Sequence, residues 1–138
     1  MKKYIILFLF FMLLSIVTWS QEKPAKIVFD ITSKDTLDHQ TVMRHVKLMA
    51  DAYPQSQFEV VVYGGALPMF LKDQSTVAKG IEELSSNKNV AFKACEGTMK
   101  RYNADKSMLV PGVGTVPDAI MEIVTKQGEG WGYIKESH

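Results

Sequence analysis

From residue 26 onward, short runs of β-branched and aromatic residues alternate with longer runs in which apolar residues recur every three or four positions. Lys26-Ile-Val-Phe-Asp-Ile-Thr32, Gln57-Phe-Glu-Val-Val-Val-Tyr63 and Val90-Ala-Phe-Lys-Ala94 are the short runs. They are apolar at almost consecutive positions, as expected of strands covered on both faces in a parallel sheet. The helical runs lie between them. One spans about Leu37 to Tyr53, with Val42, Val46, Met49 and Tyr53 on one face and Met43 and Ala50 widening it. Asp35 or Thr36 caps its start, and Pro54 ends it. A second spans about Ser75 to Ser86, with Val77, Ile81 and Leu84 aligned and Asn87 as its stop. Glu96 to Tyr102 reads as a short helical start directly after the third strand. Thr115-Val-Pro-Asp118 reads as a capping-box-like start with proline in the first turn. The helix it opens runs to about Lys126, with Val116, Ile120 and Ile123 inward and Gln127 continuing the stripe. Leu109 to Thr115 is a fourth, irregular strand or loop, and Trp131 to Ile134 a short closing strand.

Strands alternating with helices predict parallel βαβ units with right-handed crossovers. The expected fold class is α/β, a single three-layer α/β/α sandwich with a mainly parallel sheet of about five strands. The 138 residues suffice for one domain with a real core. There are no internal repeats, low-complexity tracts or linkers. The apolar connector Leu67, Met69, Phe70, Leu71 either meets another subunit or folds back onto its own sheet.

The first twenty residues change the address. Met1-Lys-Lys is basic, Tyr4 to Leu14 is apolar apart from one hydroxyl, and Thr18 and Ser20 are small residues before Gln21. This predicts a signal peptide over residues 1–20, with the domain over 21–138. A retained membrane anchor is the alternative. After cleavage the chain would be exported, periplasmic or secreted, with no membrane attachment. Loss of Lys2 and Lys3 takes the net charge from +1 to −1. That balance gives no electrostatic footprint for nucleic acid.

Candidate chemistry gathers at the carboxyl ends of the strands, where sheets of this kind bind ligands. That edge is expected to carry Thr32-Ser33-Lys34, Asp38-His39, Tyr63-Gly64-Gly65, Cys95 and the loop Pro111-Gly-Val-Gly114. Cys95 is the single cysteine, so an internal disulfide is excluded. It sits where a strand meets a helix start, whose free N–H groups and positive dipole end favour thiolate, the reactive form. Free cysteines are also among the most buried residues, so a packed, inert thiol is the competing reading. Lys93 and Lys100 are potential supports for a thiolate. His39 lies in the first helical turn on the same edge and is the potential partner of Cys95. Its alternative is a cap on its own helix or a bond to a loop carbonyl. His45 reads as packed and His138 as tail. Gln127, Trp131 and Tyr133 read as structural or as subunit contacts, and Glu82-Glu83 as a solvated helix face. Three histidines and one cysteine lack metal-ligand spacing. No G-x-S-x-G elbow is present, and neither glycine cluster is a dinucleotide or P-loop fingerprint. No cofactor is expected.

Cys95-Glu-Gly-Thr-Met-Lys100, Leu109-Val-Pro-Gly-Val113, Val116-Pro-Asp-Ala-Ile120 and Gln127-Gly-Glu-Gly-Trp-Gly-Tyr-Ile134, taken together, resemble the DsrE/DsrF-like family over about Lys26 to Lys135. The resemblance implies a small α/β/α domain that forms homo-oligomers. It also implies, at the Cys95 position of sulfur-relay members, a cysteine that holds sulfane sulfur as a persulfide. The functional expectation is therefore a sulfur carrier with donor and acceptor proteins as partners. The alternatives are a non-catalytic oligomeric module that binds a ligand or partner, and a thiol redox sensor that pairs through Cys95. Export to an oxidising compartment departs from the reducing setting of the relay members.

Overall fold

The computed structural model describes residues 23–137; the signal peptide expected over residues 1–20 and His138 lie outside them. Five strands form one sheet: β1 (Lys26–Ile31), β2 (Gln57–Val62), β3 (Val90–Cys95), β4 (Val113–Val116) and β5 (Gly132–Lys135). Their order is β4-β3-β2-β1-β5, and every neighbouring pair is parallel. The helices are α1 (Thr36–Ala52), α2 (Ala78–Ser85), α3 (Glu96–Arg101) and α4 (Ala119–Gly128), with 3-10 turns at Gly64–Phe70 and Lys106–Met108.

This order explains the layers. From β1 to β4 the chain steps sideways in one direction, so right-handed crossovers place every connection on one face. From β4 it must return across the whole sheet to reach β5 beside β1. The same handedness then puts α4 alone on the other face.

The crowded face is apolar except for Thr115 at the β4 edge, which pairs with Ala94. Phe29, Ile31, Phe58, Val60, Val62, Phe92 and Ala94 meet Val42, Val46 and Ala50 of α1 and Ile81 of α2. The connector belongs here too: Ala66, Leu67, Met69 and Phe70 have no exposed surface, and Phe70 meets Phe92 edge to face at 5.9 Å. It therefore folds back onto its own sheet and is not a subunit contact. Burying each such side chain contributes about 1.5–3 kcal/mol.

Several boundaries differ from the sequence reading. Tyr53 is the C-cap of α1 and is exposed. The segment before α2 is turn, so that helix starts at Ala78. The last helix is capped by Asp118, whose side chain accepts from the N–H groups of Ile120 and Met121; Thr115 and Val116 belong to β4. Its inward residues are Ala119 and Ile123, whereas Ile120 is 59% exposed and Gln127 faces solvent. A helix that covers a sheet alone buries a narrow seam, because no neighbouring helix closes over its flanks. Among the described residues no helix is long and apolar enough to cross a membrane.

Candidate functional site

The face under α4 carries the chemistry. Its rows follow from the strand register, since paired residues of parallel strands point to the same side. One row runs Gly114–Lys93–Val61–Asp30–Lys135. Toward the carboxyl edge, Val116 pairs with Cys95, and Tyr63, which continues β2 in extended backbone, lies level with Cys95. The amino-side row is Ala91–Glu59–Val28–Tyr133. Asp30, Glu59, Lys93, Tyr133 and Lys135 in these rows are ionisable, whereas the strand residues of the opposite face are not.

Cys95 closes β3 and caps α3 with no loop residue between the two elements. It is 7% exposed and packs with Val28, Val61, Ala119 and Ile123, with Tyr63 against the same cluster. Burial alone would raise its pKa. The N–H groups of Thr98 and Gly97 at the start of α3, that of Ala119 at the start of α4, and the Thr98 hydroxyl outweigh burial and lower it below the ordinary thiol value. The first residues of α3 and α4 both border the sulfur, since Cys95 packs on Ala119 and a Cβ at Gly97 would meet Sγ, and these helix starts hold N–H groups that no helical carbonyl uses.

Thr98 is central to this arrangement. It is 1% exposed, and its Oγ1 accepts from the Gly64 N–H at 3.1 Å while its hydroxyl donates toward the thiol. Gly64 has φ +59°, a left-handed conformation that glycine adopts without strain, and this turns its N–H to Thr98. Gly97 borders the sulfur on the solvent side: a Cβ built there would sit 3.6 Å from Sγ. Glu96 fixes the first turn of α3 by accepting from Thr115 Oγ1 at 2.7 Å and Lys106 Nζ at 2.9 Å, and these contacts, that of Lys106 first, hold its carboxyl below the usual range.

The other predicted residues lie elsewhere. The His39 ring is buried and its Nε2–H donates to the Ser33 carbonyl at 2.9 Å. It projects from α1 beneath the crowded face, and that carbonyl is its ring's hydrogen-bond partner among the described residues. Lys93 shares the face of Cys95 but extends over β4, where its Nζ would be 3.2 Å from a Cβ at Gly114. Lys100 is exposed. The loop Pro111–Gly112 precedes β4 and so lies at the amino edge, not the carboxyl edge. There Gly112, at φ +91°, packs so closely on Ser85 that no Cβ fits. His45 Nδ1 pairs with Glu136 Oε1 at 2.7 Å. Glu82 and Glu83 are exposed.

Two polar clusters flank Cys95 on its own face. Buried Asp30 accepts from Tyr133 at 2.7 Å, Lys135 at 3.0 Å and Tyr63 at 3.5 Å. That bond to Asp30, with burial, pushes the Tyr133 hydroxyl up to about 12. Further back, buried Glu59 pairs with Lys126 of α4 at 3.2 Å, and Lys126 also reaches Glu122 at 3.5 Å and lies 4.5 Å from the Trp131 ring centroid. Burial raises the Glu59 carboxyl even against the pull of Lys126. Among the described residues no group of three or more His, Cys, Asp or Glu could hold a metal ion.

Comparison with known proteins bears on the fold. A solved structure of a protein of unknown function, MTH1491 from Methanobacterium thermoautotrophicum, is 28% identical, covers 80% of this chain and 98% of its own, and superposes with a TM-score of 0.75. The ychN protein from E. coli (12% identity, 82% and 99% covered, TM-score 0.68) has the same fold. So does BT1422 from Bacteroides thetaiotaomicron, a conserved protein of unknown function (12%, 80% and 93%, 0.64). No curated protein matches the chain. The model of the DsrE/DsrF-like family matches residues 26–135, and the chain belongs to that family.

Proposed function

We propose that Cys95 carries sulfane sulfur as a persulfide, so that the protein acts as a carrier between a donor and an acceptor thiol. Family membership supports a sulfur-relay type of role. The observation that carries the reading to a residue is the place of this single thiol against the starts of α3 and α4, beside Gly97 and Ala119, with its pKa lowered there. In the loading step the Cys95 thiolate attacks the outer sulfur of a donor persulfide. The new S–S bond forms as the donor's S–S bond breaks, and the donor leaves as a thiolate. Electrons balance without an added oxidant, and an acceptor thiolate reverses the same exchange.

In the same reading the chain is exported after loss of residues 1–20 and works as a homo-oligomer. The exposed apolar residues Ile120, Met121 and Val124 on α4 support assembly. Sedimentation of the mature protein tests it, and a monomer at all concentrations removes that part.

The 7% exposure of Cys95 favours a second reading, a non-catalytic binding module with a packed thiol. Alkylation rate against pH, followed by intact mass after treatment with a persulfide donor, separates the two. A carrier reacts fast, with a midpoint below the ordinary thiol value of about 8.5, and gains the mass of one sulfur atom. A packed cysteine labels only on unfolding.

A further inference from the structure

We infer that the Tyr63 hydroxyl receives the outer sulfur of the loaded Cys95, and that Asp30, Tyr133 and Lys135 are the residues that position it. The inference rests on the persulfide reading and names the group that completes that site.

Tyr63 is the lateral neighbour of Cys95 on the α4 face and packs on the same small cluster. Adjacent strands lie about 4.8 Å apart, so the two side chains rise side by side. Its hydroxyl is weakly held. Among the described residues the one hydrogen bond it makes is the 3.5 Å contact to Asp30 Oδ2, and Tyr133 already occupies that oxygen at 2.7 Å. Lys135 holds the other oxygen at 3.0 Å and is anchored in turn by Thr32 Oγ1 at 2.7 Å. The Lys135 ammonium also lies 5.7 Å from the Tyr63 ring centroid, which fixes the ring from one side. Asp30 is thus nearly saturated without Tyr63, and the phenol is free to exchange a long bond for a better one.

The chemistry of loading creates that better partner. When the thiolate takes a sulfane sulfur, the charge leaves with the donor thiolate; once the new persulfide loses its S–H proton to solvent, its negative charge sits on the outer sulfur, about 2 Å beyond Sγ. The N–H groups of Gly97, Thr98 and Ala119 are arranged around Sγ itself. A second donor is then needed one bond further out, and the side of Sγ toward β2 holds Tyr63. Burial, followed by the charges of Asp30 and of a Cys95 thiolate, keeps the phenol protonated, so it remains a donor. The persulfide proton goes to solvent, Tyr63 keeps its own, and the hydrogen bond only stabilises the perthiolate.

The test is the equilibrium partition of sulfane sulfur between Cys95 and excess glutathione, read by intact mass across pH, for the mature chain and for Tyr63→Phe. Loss of one hydrogen bond to a charged sulfur is expected to reduce the loaded fraction about tenfold and to move formation of the perthiolate to higher pH. Alkylation of unloaded Cys95 stays within about twofold, because the helix N–H groups serve that state. In Tyr133→Phe, Asp30 Oδ2 is freed and draws the Tyr63 hydroxyl toward itself, for an expected loss of about threefold. Equal partition and equal pH dependence in wild type and Tyr63→Phe overturn the role of Tyr63 while leaving the carrier reading intact. A wild-type protein that never gains sulfur overturns both.

Discussion

The two faces of one sheet divide the work. Under α1, α2 and the 3-10 connector the central strands present apolar, buried residues, and the polar Thr115 lies at the β4 edge. Under α4 the same strands present Asp30, Glu59, Tyr63, Lys93 and Cys95. The difference follows from coverage. Three elements exclude water on one face, so a polar group there must be hydrogen-bonded, as His39 is to the Ser33 carbonyl, because an unpaired buried polar group costs more than burial returns. A single helix leaves the other face at the margin of solvent, where ionisable groups can be half-buried, paired and tuned. Stability is concentrated on the first face and chemistry on the second.

The strongest way to break this division is to cut the apolar face. Phe92→Ala is expected to lower unfolding free energy by about 3–5 kcal/mol, while the alkylation midpoint of Cys95 in the remaining folded protein is unchanged. Denaturant melts and labelling on the same sample measure both. A shifted midpoint would mean that the faces are coupled through β3.

On the α4 face, Lys126→Met strands the Glu59 carboxylate among apolar groups, with an expected loss of about 3 kcal/mol at neutral pH. The sign with pH follows from the raised Glu59 pKa. Its contribution is fully present below the unfolded carboxyl value and is lost as pH rises through the higher folded one. The variant should therefore recover stability on acidification toward the ordinary glutamate pKa of about 4.3, which a pH series of melts would show.

Thr98→Val removes a donor to the thiol and the acceptor of the Gly64 N–H. Stability should fall by about 1–3 kcal/mol and the alkylation midpoint should move up in pH. An unmoved midpoint would leave the N–H groups as sufficient on their own.

Cys95 itself carries a smaller linkage. Its folded pKa is lowered, so folding stability gains from the thiolate above the unfolded value of about 8.5 and loses that gain as pH falls through the folded value. Cys95→Ala should flatten this dependence. The smallest effect on stability is expected for Gly97→Ala, which stays within about 1 kcal/mol but slows bulky alkylating reagents more than small ones.

Much of the architecture was legible along the chain. The unbroken apolar runs of β1 and β2 announced a parallel sheet, and Cys95 was placed at a strand-to-helix junction because Val90 to Ala94 ends there. What misled was periodicity near an edge. Val116 reads equally well as a strand end or a first helical turn. Choosing the helix set the stripe on Ile120 and Gln127, which the Asp118 cap turns to solvent. Likewise Pro111-Gly-Val-Gly114 reads along the chain as a loop before a helix. It lies at the other end of the sheet because β4 begins within it.

By itself the sequence determined the local and short-range features: helix starts capped by aspartate, turns at glycine and proline, strands of β-branched residues, and a lone cysteine where two elements meet. These depend on neighbours within a few positions. Tertiary structure alone decided which residues share a row. Tyr63 and Cys95 are 32 positions apart in sequence and became neighbours only through the β2–β3 register. The Ala119 N–H reached the thiol only because the right-handed return from β4 laid α4 over that end of the sheet. His39, on the same edge in sequence terms, fell beneath the opposite layer for the same reason.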